Sequence, residues 1–364
     1  MAVIGPPPAG RKRMATYFGD GLDNTWGGSA GADEGHGAGG DDHLLGKGGN
    51  DLLFGDAGDD TLEGGTGADT LHGGGGGDIL FGQSGDDLLF ASADGSAEVL
   101  FGGNGVDTGD WSAGAGGWRI DLVAGLATDD EIVFTNVQSV ENVTGSDFDD
   151  EITGDGNGNI LDAGDGDDTV VGGGGNDVIK DSGGFNGLFG GHGDDVIDVL
   201  GVNFIAGGTG LDFLRGGFGD DTINGGGHDD TVLGRQGTDF LNGDGGGDLI
   251  NGQAGYDFLW GGWGDDIFRF SQLSDTTAAA PDTIYDLHDT DVIDLSGVDA
   301  DTTAGGNQAF HLVGAFTGDA GELMLDYDSI TDVTHLLGDV DGDGVADLGV
   351  ELVLDHSGFA NFVL

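Results

Sequence analysis

Residues Gly46–Phe90 read GKGGNDLLFGDAGDDTLEGGTGADTLHGGGGGDILFGQSGDDLLF, and they divide into five lines of nine: GKGGNDLLF, GDAGDDTLE, GGTGADTLH, GGGGGDILF and GQSGDDLLF. Two more lines stand upstream, GSAGADEGH from Gly28 and GAGGDDHLL from Gly37. In all seven the fourth place is glycine and the sixth is aspartate: Asp33, Asp42, Asp51, Asp60, Asp69, Asp78 and Asp87. The eighth place is leucine in every line but the first, where it is Gly35. A disordered glycine-rich linker has this composition without this phase. The fixed positions therefore predict an ordered repeat.

Two looser lines follow, Ala93–Phe101 and Gly102–Asp110, the second with Asp107 in sixth place. The register then breaks and resumes at Gly145. It runs to Arg269 with one line shortened to eight residues, Val199–Ala206. The sixth place in this second block holds Asp150, Asp168, Asp177, Asp195, Asp212, Asp221, Asp230, Asp239, Asp248, Asp257 and Asp266, with asparagine at Asn159, Asn186 and Asn203. From Ile152 to Leu259 the eighth place is Ile, Leu or Val.

This pattern, GGxGxDxUx, resembles the calcium-binding nonapeptide of RTX proteins. The resemblance implies an all-β fold, a right-handed parallel β-roll in which two lines make one coil. The glycine-rich six residues form a turn, because glycine permits positive φ and lets carbonyl oxygens converge. The last three, x-U-x, suffice for a short strand with one residue facing inward. Lines n and n+2 then stack about 4.8 Å apart, which sets Asp51 against Asp69 and Asp230 against Asp248. Unpaired, such a column repels itself. A hard cation taking six to eight oxygens at about 2.3–2.6 Å fits between the carboxylates, and magnesium, which demands a tight octahedron, fits poorly. The expected cofactor is Ca2+, in several copies. The expected ligands are the sixth-place aspartates and the carbonyls of first-place glycines: Gly46, Gly55, Gly64, Gly73, Gly82, Gly207, Gly216, Gly225, Gly234, Gly243 and Gly252.

Composition agrees. The 364 residues include 83 glycines, 68 acidic residues and 9 Lys plus Arg, for a formal net charge of −59. So much like charge opposes compaction unless it is neutralised. Nucleic acid and anionic membrane surfaces are disfavoured as partners, since both are bound through cationic side chains. No run approaches the roughly 18 apolar residues of a membrane span. There is no cysteine, so disulfides and thiol chemistry are excluded. The opening MAVIGPPPAGRKRMATYFGDG has basic residues but no apolar stretch after them, unlike a Sec signal peptide.

The period vanishes after Phe270. GDDIFRFSQLSDTTAAAPDTIYDLHDTDVIDLSGVDA, GGNQAFHLVGAFTGDAGELML and GDVDGDGVADLGVEL resemble the C-terminal domain of serralysin-type proteases. That resemblance implies a cap on the open end of the solenoid and export by type I secretion machinery, with the terminal NFVL as part of the signal. Secretion to an extracellular, calcium-rich medium is the expected localisation. Asp339, Asp341, Asp343 and Asp347 have EF-hand-like spacing with Gly344 at the bend; the twelfth place is Val350, with Glu351 one residue late. The organisation expected is a lead-in 1–27, a first roll block 28–110, a β-rich spacer 111–144, a second roll block 145–269 and a cap 270–364.

No catalytic constellation accompanies these motifs. H-E-x-x-H is absent. GGSAG around Ser29 matches G-x-S-x-G but lies in a nonapeptide turn, without the strand and helix a nucleophile elbow needs. The reading is a non-catalytic secreted repeat protein with a structural or adhesive role and an extracellular polysaccharide or surface partner. The alternative is the calcium-binding and export module of an RTX enzyme, a serralysin-like metallopeptidase or a polysaccharide-modifying enzyme. Tyr256, Phe258, Trp260, Trp263 and Phe268 crowd the last two lines and are expected to contact the cap.

Overall fold

The computed structural model describes residues 14–92, 94, 96–129 and 134–364. The first thirteen residues of the lead-in, parts of the loose line at 93–101 and Asp130–Val133 of the spacer lie outside them. Among the described residues the chain is all-β, with no helix. It packs as two compact units: residues up to Asp155 together with Asn159–Gly164, and Gly156–Gly158 with Asp165–Leu364.

In the first unit successive strands alternate between two parallel sheets. One sheet contains Leu52–Ala57, Thr70–Gly75 and Leu88–Phe90, with Leu53 beside Leu71 and Leu71 beside Leu89. The other contains His43–Gly48, Thr61–Thr66 and Ile79–Ser84, with Leu44 beside Leu62 and Leu62 beside Leu80. All six of these leucines are fully buried. Each buried leucine contributes about 1.5–3 kcal/mol of apolar transfer, which is the driving force behind the eighth place.

The turns explain the fourth place. Gly58 has φ 135°, and Asp56, two residues earlier, has φ 73°. A non-glycine residue tolerates the second value but not the first. A Cβ on Gly58 would also strike the Gly40 carbonyl of the coil below.

Residues 134–144 lack the nonapeptide yet supply strands to both sheets. Phe134–Gln138 pairs parallel with Val99–Asn104, Val137 beside Leu100. Asn142–Thr144 pairs parallel with Thr108–Asp110, Val143 beside Gly109. The buried Trp111 indole abuts Gly109 and fills the space its missing side chain leaves. Upstream, Trp118–Asp121 and Leu126–Asp129 form an antiparallel hairpin in the same sheet, between Phe134–Gln138 and Glu151–Thr153.

The second unit repeats the arrangement. Ile197, Leu214, Val232 and Ile250 line one sheet and Leu188, Ile205, Ile223, Leu241 and Leu259 the other, none more than 1% exposed. Phe268 occupies the eighth place, is fully buried and pairs with Ile293 in the segment past Arg269, the contact expected of it, whereas Trp263 is 87% exposed. Past Arg269 the sheets continue. Asp282–Ile284 pairs with Phe258–Trp260, and Val292–Asp294 with Ile267–Arg269. An antiparallel sheet of Glu322–Asp328, Val333–Asp339 and Leu348–Val353 then joins Asp282–Ile284, while Phe362–Val363 joins Val292–Asp294. One sheet is continued by the antiparallel strands, and the other ends on the two-residue strand Phe362–Val363, a short edge that offers little template for aggregation.

Candidate metal centre

The nine-residue phase brings each sixth-place aspartate beside its counterpart one coil away. The Asp51 N–H donates to Asp69 Oδ1 at 2.7 Å, Asp42 to Asp60 at 2.7 Å and Asp60 to Asp78 at 2.8 Å. In the second unit Asp195 donates to Asp212, Asp212 to Asp230 and Asp230 to Asp248, at 2.7–2.8 Å. One carboxylate oxygen is thus held by the neighbouring backbone.

The other oxygen has nothing. The Oδ2 atoms of Asp42, Asp51, Asp60, Asp69, Asp78, Asp87, Asp107, Asp195, Asp212, Asp230, Asp239, Asp248, Asp257 and Asp266 are buried without a hydrogen-bond partner, in residues no more than 3% exposed. Buried polar atoms are almost always paired, so a column of unpaired carboxylate oxygens calls for a cation. The first-place glycines complete the cradle. A Cβ at Gly225 would lie 2.6 Å from Asp230 Oδ2 and 2.7 Å from the Gly243 carbonyl. The same convergence of glycine, carboxylate and next-coil carbonyl recurs at Gly46 with Gly64, Gly55 with Gly73, Gly207 with Gly225, Gly216 with Gly234, Gly234 with Gly252 and Gly243 with Gly261. Gly64, Gly73, Gly82 and Gly252 face the Oδ2 atoms of Asp69, Asp78, Asp87 and Asp257 in the same way. An oxygen-only donor set of carboxylates and carbonyls suits a hard cation.

Electrostatics point the same way. Burial, reinforced by neighbouring carboxylates, pushes Asp69, Asp78, Asp195 and Asp230 up to about 7, against the opposing effect of the N–H each accepts. Asp239 reaches about 8. A protein-only environment disfavours the charged form that a cation would favour.

Not every expected ligand has a free oxygen. Asp33 accepts the N–H groups of Ala15 and Ser29, and Asp150 those of Trp118 and Ser146. Asp221 accepts Gly217 on Oδ2 and Asn203 on Oδ1. Asp168 and Asp177 hold their places in the columns, donating to Asn186 and Asp195.

Four acidic residues outside the nonapeptide lines' aspartates extend the columns. Asp257 donates to Asp282 Oδ1 at 2.9 Å and Asp266 to Asp291 Oδ1 at 3.0 Å. Asp107 donates to Glu141 at 2.8 Å. Glu98 stands beside Asp78, because Val99 pairs with Ile79. Asp282 Oδ2, Glu98 Oε2 and Oδ1 of nearby Asp275 are buried and unpartnered. Burial pushes Glu98 up to about 8 and Asp282, with Asp257 beside it, up to about 9. A detectable signal existed: each column residue precedes an x-U-x triplet, EVLF, ENVT, DTIY and DVID.

In the C-terminal loop Asp339, Asp341 and Asp347 bring carboxylate oxygens within 4.8 Å of one another. Asp343 stands outside this trio and accepts the Val345 N–H. Glu351 points instead toward His335 and Thr283.

Comparison with known proteins places this geometry. The model of the peptidase M10 serralysin C terminal matches residues 76–364. That of the RTX calcium-binding nonapeptide repeat matches residues 27–62 and 54–89. The metalloprotease AprA of Pseudomonas entomophila (strain L48) is 42% identical over 87 residues, 24% of this chain and 18% of that protein. Serralysin A of Dickeya chrysanthemi is 35% identical over 98 residues, 27% of this chain and 20% of that protein. The chain therefore spans about a fifth of the length of these two relatives. Among solved structures, the AlgE6R3 subunit from the Azotobacter vinelandii mannuronan C5-epimerase has 29% identity and a TM-score of 0.32, over 40% of this chain and 78% of that one. The AlgE6R2 subunit has 28% identity and a TM-score of 0.29, over 39% and 91%. With RTX nonapeptides that bind calcium at one end and a matched segment running to Leu364, the chain belongs to the peptidase M10 serralysin C-terminal family.

Proposed function

We infer that this chain is a non-catalytic extracellular module, exported unfolded by type I secretion machinery and folded outside the cell when calcium binds, where it serves a structural or adhesive role. The observation that carries the reading is the columns of buried carboxylates, in most of which, Asp42 to Asp107 and Asp230 to Asp266 among them, Oδ2 lacks a protein partner. Bound calcium supplies the positive charge those oxygens lack. The residues do the rest: aspartates and first-place glycines hold the ion, and the leucine columns fold only when the carboxylates can be buried. Binding energy is then folding energy. We assign Asp339, Asp341 and Asp347 a further calcium, supported by their convergence.

A calcium titration followed by circular dichroism tests this. The chain is expected to lack β signal in excess chelator and to gain it cooperatively at millimolar calcium; a fully folded chelated chain refutes the reading. Deleting the terminal strand Phe362–Val363 and its preceding segment is expected to abolish appearance in culture supernatants.

A second reading has its own support. The matched relatives, a metalloprotease and a serralysin, are about five times as long as the matched span, so the same module also fits as the calcium-binding and export portion of an extracellular enzyme. Turnover of casein, an ester or alginate by the calcium-loaded chain would exclude the non-catalytic role.

A further inference from the structure

We propose that the second unit carries a binding slot for one ring of a neutral hexopyranose polysaccharide, walled by Phe204 and Phe240. The proposal deepens the adhesive role inferred above and rests on that reading. Phe204, Thr222 and Phe240 occupy the same outward place on three consecutive strands of one sheet. Their backbone positions therefore stand about 9.6 Å apart, two strand spacings, with the small Thr222 between them. Stacked rings lie about 4.5 Å or more centroid to centroid, so the gap admits one ring and no more. It is a groove of ≈ 290 Å³.

Both walls are exposed, Phe204 at 47% and Phe240 at 45%. Both are braced from behind. Phe240 stacks on Phe258 at 4.6 Å and lies 6.4 Å from Trp260, which itself stacks on Tyr285 at 4.5 Å. Phe204 leans on Phe189 at 5.8 Å. The walls are thus held apart without a ligand, which lowers the ordering cost of binding.

The floor names the chemistry. Ile223 lies inside the core, while Thr222, Asn224 and Asn242 present a hydroxyl and two amides to the groove. Asn242 is satisfied by Asp244. Asn224 Oδ1 is buried with no hydrogen-bond partner, which leaves its amide nitrogen and the Thr222 hydroxyl as the polar groups that can meet a sugar hydroxyl. No charged side chain lines the groove, and a chain of net charge −59 repels polyanions. Apolar walls with uncharged polar groups between them fit the two faces and the hydroxyl rim of an uncharged pyranose. Nucleobases fit the walls, but their phosphates meet the wrong charge.

Titration calorimetry on the full chain in calcium, with cellohexaose, maltohexaose and a mannuronate hexamer as probes, tests the slot. At least one neutral hexamer is expected to bind saturably. Phe204→Ala, Phe240→Ala and the gap-filling Thr222→Phe are expected to weaken it at least tenfold, and Phe218→Ala, exposed but outside the groove, less than twofold. Circular dichroism in calcium confirms that each variant keeps the fold. Binding by neither neutral hexamer, binding by the mannuronate hexamer alone, or undiminished binding by Thr222→Phe overturns the proposal. If wild type in chelator keeps both its β signal and its hexamer affinity, the calcium-folding reading falls while the slot stands. If the calcium-folded chain binds no neutral hexamer, the slot falls and calcium folding stands.

Discussion

Replacing Asp230 by asparagine changes one oxygen to an N–H2 and should shift stability in opposite directions with and without calcium. Asp230 Oδ1 accepts the Asp212 N–H at 2.8 Å, and the Asp230 N–H donates to Asp248 at 2.7 Å. Asparagine preserves both bonds. What changes is Oδ2, buried, unpartnered and close to where the Gly243 carbonyl points. Without metal that oxygen is a liability of about 1–3 kcal/mol, and an amide that can donate to a carbonyl removes it. With calcium the same oxygen is a ligand. A site with a Kd of about 10⁻⁴ M in about 10 mM calcium contributes about 2.7 kcal/mol to the folded state, and losing it costs about that much. Asp230→Asn should therefore destabilise the chain by about 2–3 kcal/mol in calcium and stabilise it by about 1–3 kcal/mol in chelator. Urea unfolding in calcium and folding driven by trimethylamine N-oxide in chelator, both read by circular dichroism, measure the two shifts. Metal analysis should show fewer bound ions. An aspartate serving only as a hydrogen-bond acceptor gives the same sign in both buffers, and that result would refute the ligand role.

Three further outcomes follow from the same geometry. Asp69, Asp78, Asp195 and Asp230 sit at about 7 in the folded chain, against an ordinary 3.8. The metal-free folded state thus holds protons more tightly than the unfolded one, so protonation stabilises it fully below about pH 4 and not above about pH 7–8. Acidifying the chelated chain through that window should raise its β signal, a response that a flat ellipticity profile between pH 8 and 4 would exclude. Gly225→Ala places a methyl group in the cradle between Asp230 Oδ2 and the Gly243 carbonyl; the calcium midpoint should rise, and an unchanged ion count and midpoint would show that the cradle is not a site. Leu241→Ala, at a fully buried position, should cost about 2–5 kcal/mol in urea unfolding with calcium, while leaving the number of bound ions unchanged.

The strict period made most of this legible. Glycine in fourth place, aspartate in sixth and an aliphatic residue in eighth correspond to a left-handed turn residue, a column carboxylate and a core side chain, and each follows from local chemistry alone. Legibility ended where the spacing changed. Asp282 and Asp291 lie 25 residues after their column neighbours Asp257 and Asp266, and Glu141 lies 34 after Asp107. The roll requires that an acid precede an inward-facing apolar residue when the strand arrives in register; it does not require nine residues to intervene. Extra residues leave as an excursion at Ser271–Pro281; in the other case they form the hairpin of Trp118–Asp121 and Leu126–Asp129, which inserts into the sheet between Phe134–Gln138 and Glu151–Thr153. Lengthening a surface loop costs little entropy, so the first insertion hides a coil from a period-based reading without disturbing it.

The asparagines show why spacing alone does not specify a metal site. Asn186 and Asn203 keep the sixth place, and their columns keep the same backbone bonds: the Asp168 N–H reaches Asn186 Oδ1 at 2.8 Å and the Asn203 N–H reaches Asp221 Oδ1 at 2.7 Å. The second atom of the side chain then reverses its role. Asn186 Nδ2 donates to Asp181 at 2.7 Å and to Asn203 Oδ1 at 3.1 Å, and Asn203 Nδ2 donates to Asp221 at 3.0 Å. Asn159 Nδ2 donates to the Glu141 carbonyl at 2.6 Å. Where an aspartate leaves an oxygen in want of positive charge, the amide brings its own hydrogens. At the same point on the same backbone the amide supplies hydrogens where most column aspartates leave Oδ2 unpartnered, although Asp221 is paired on both oxygens. We infer that the calcium requirement of the roll is set place by place along each column.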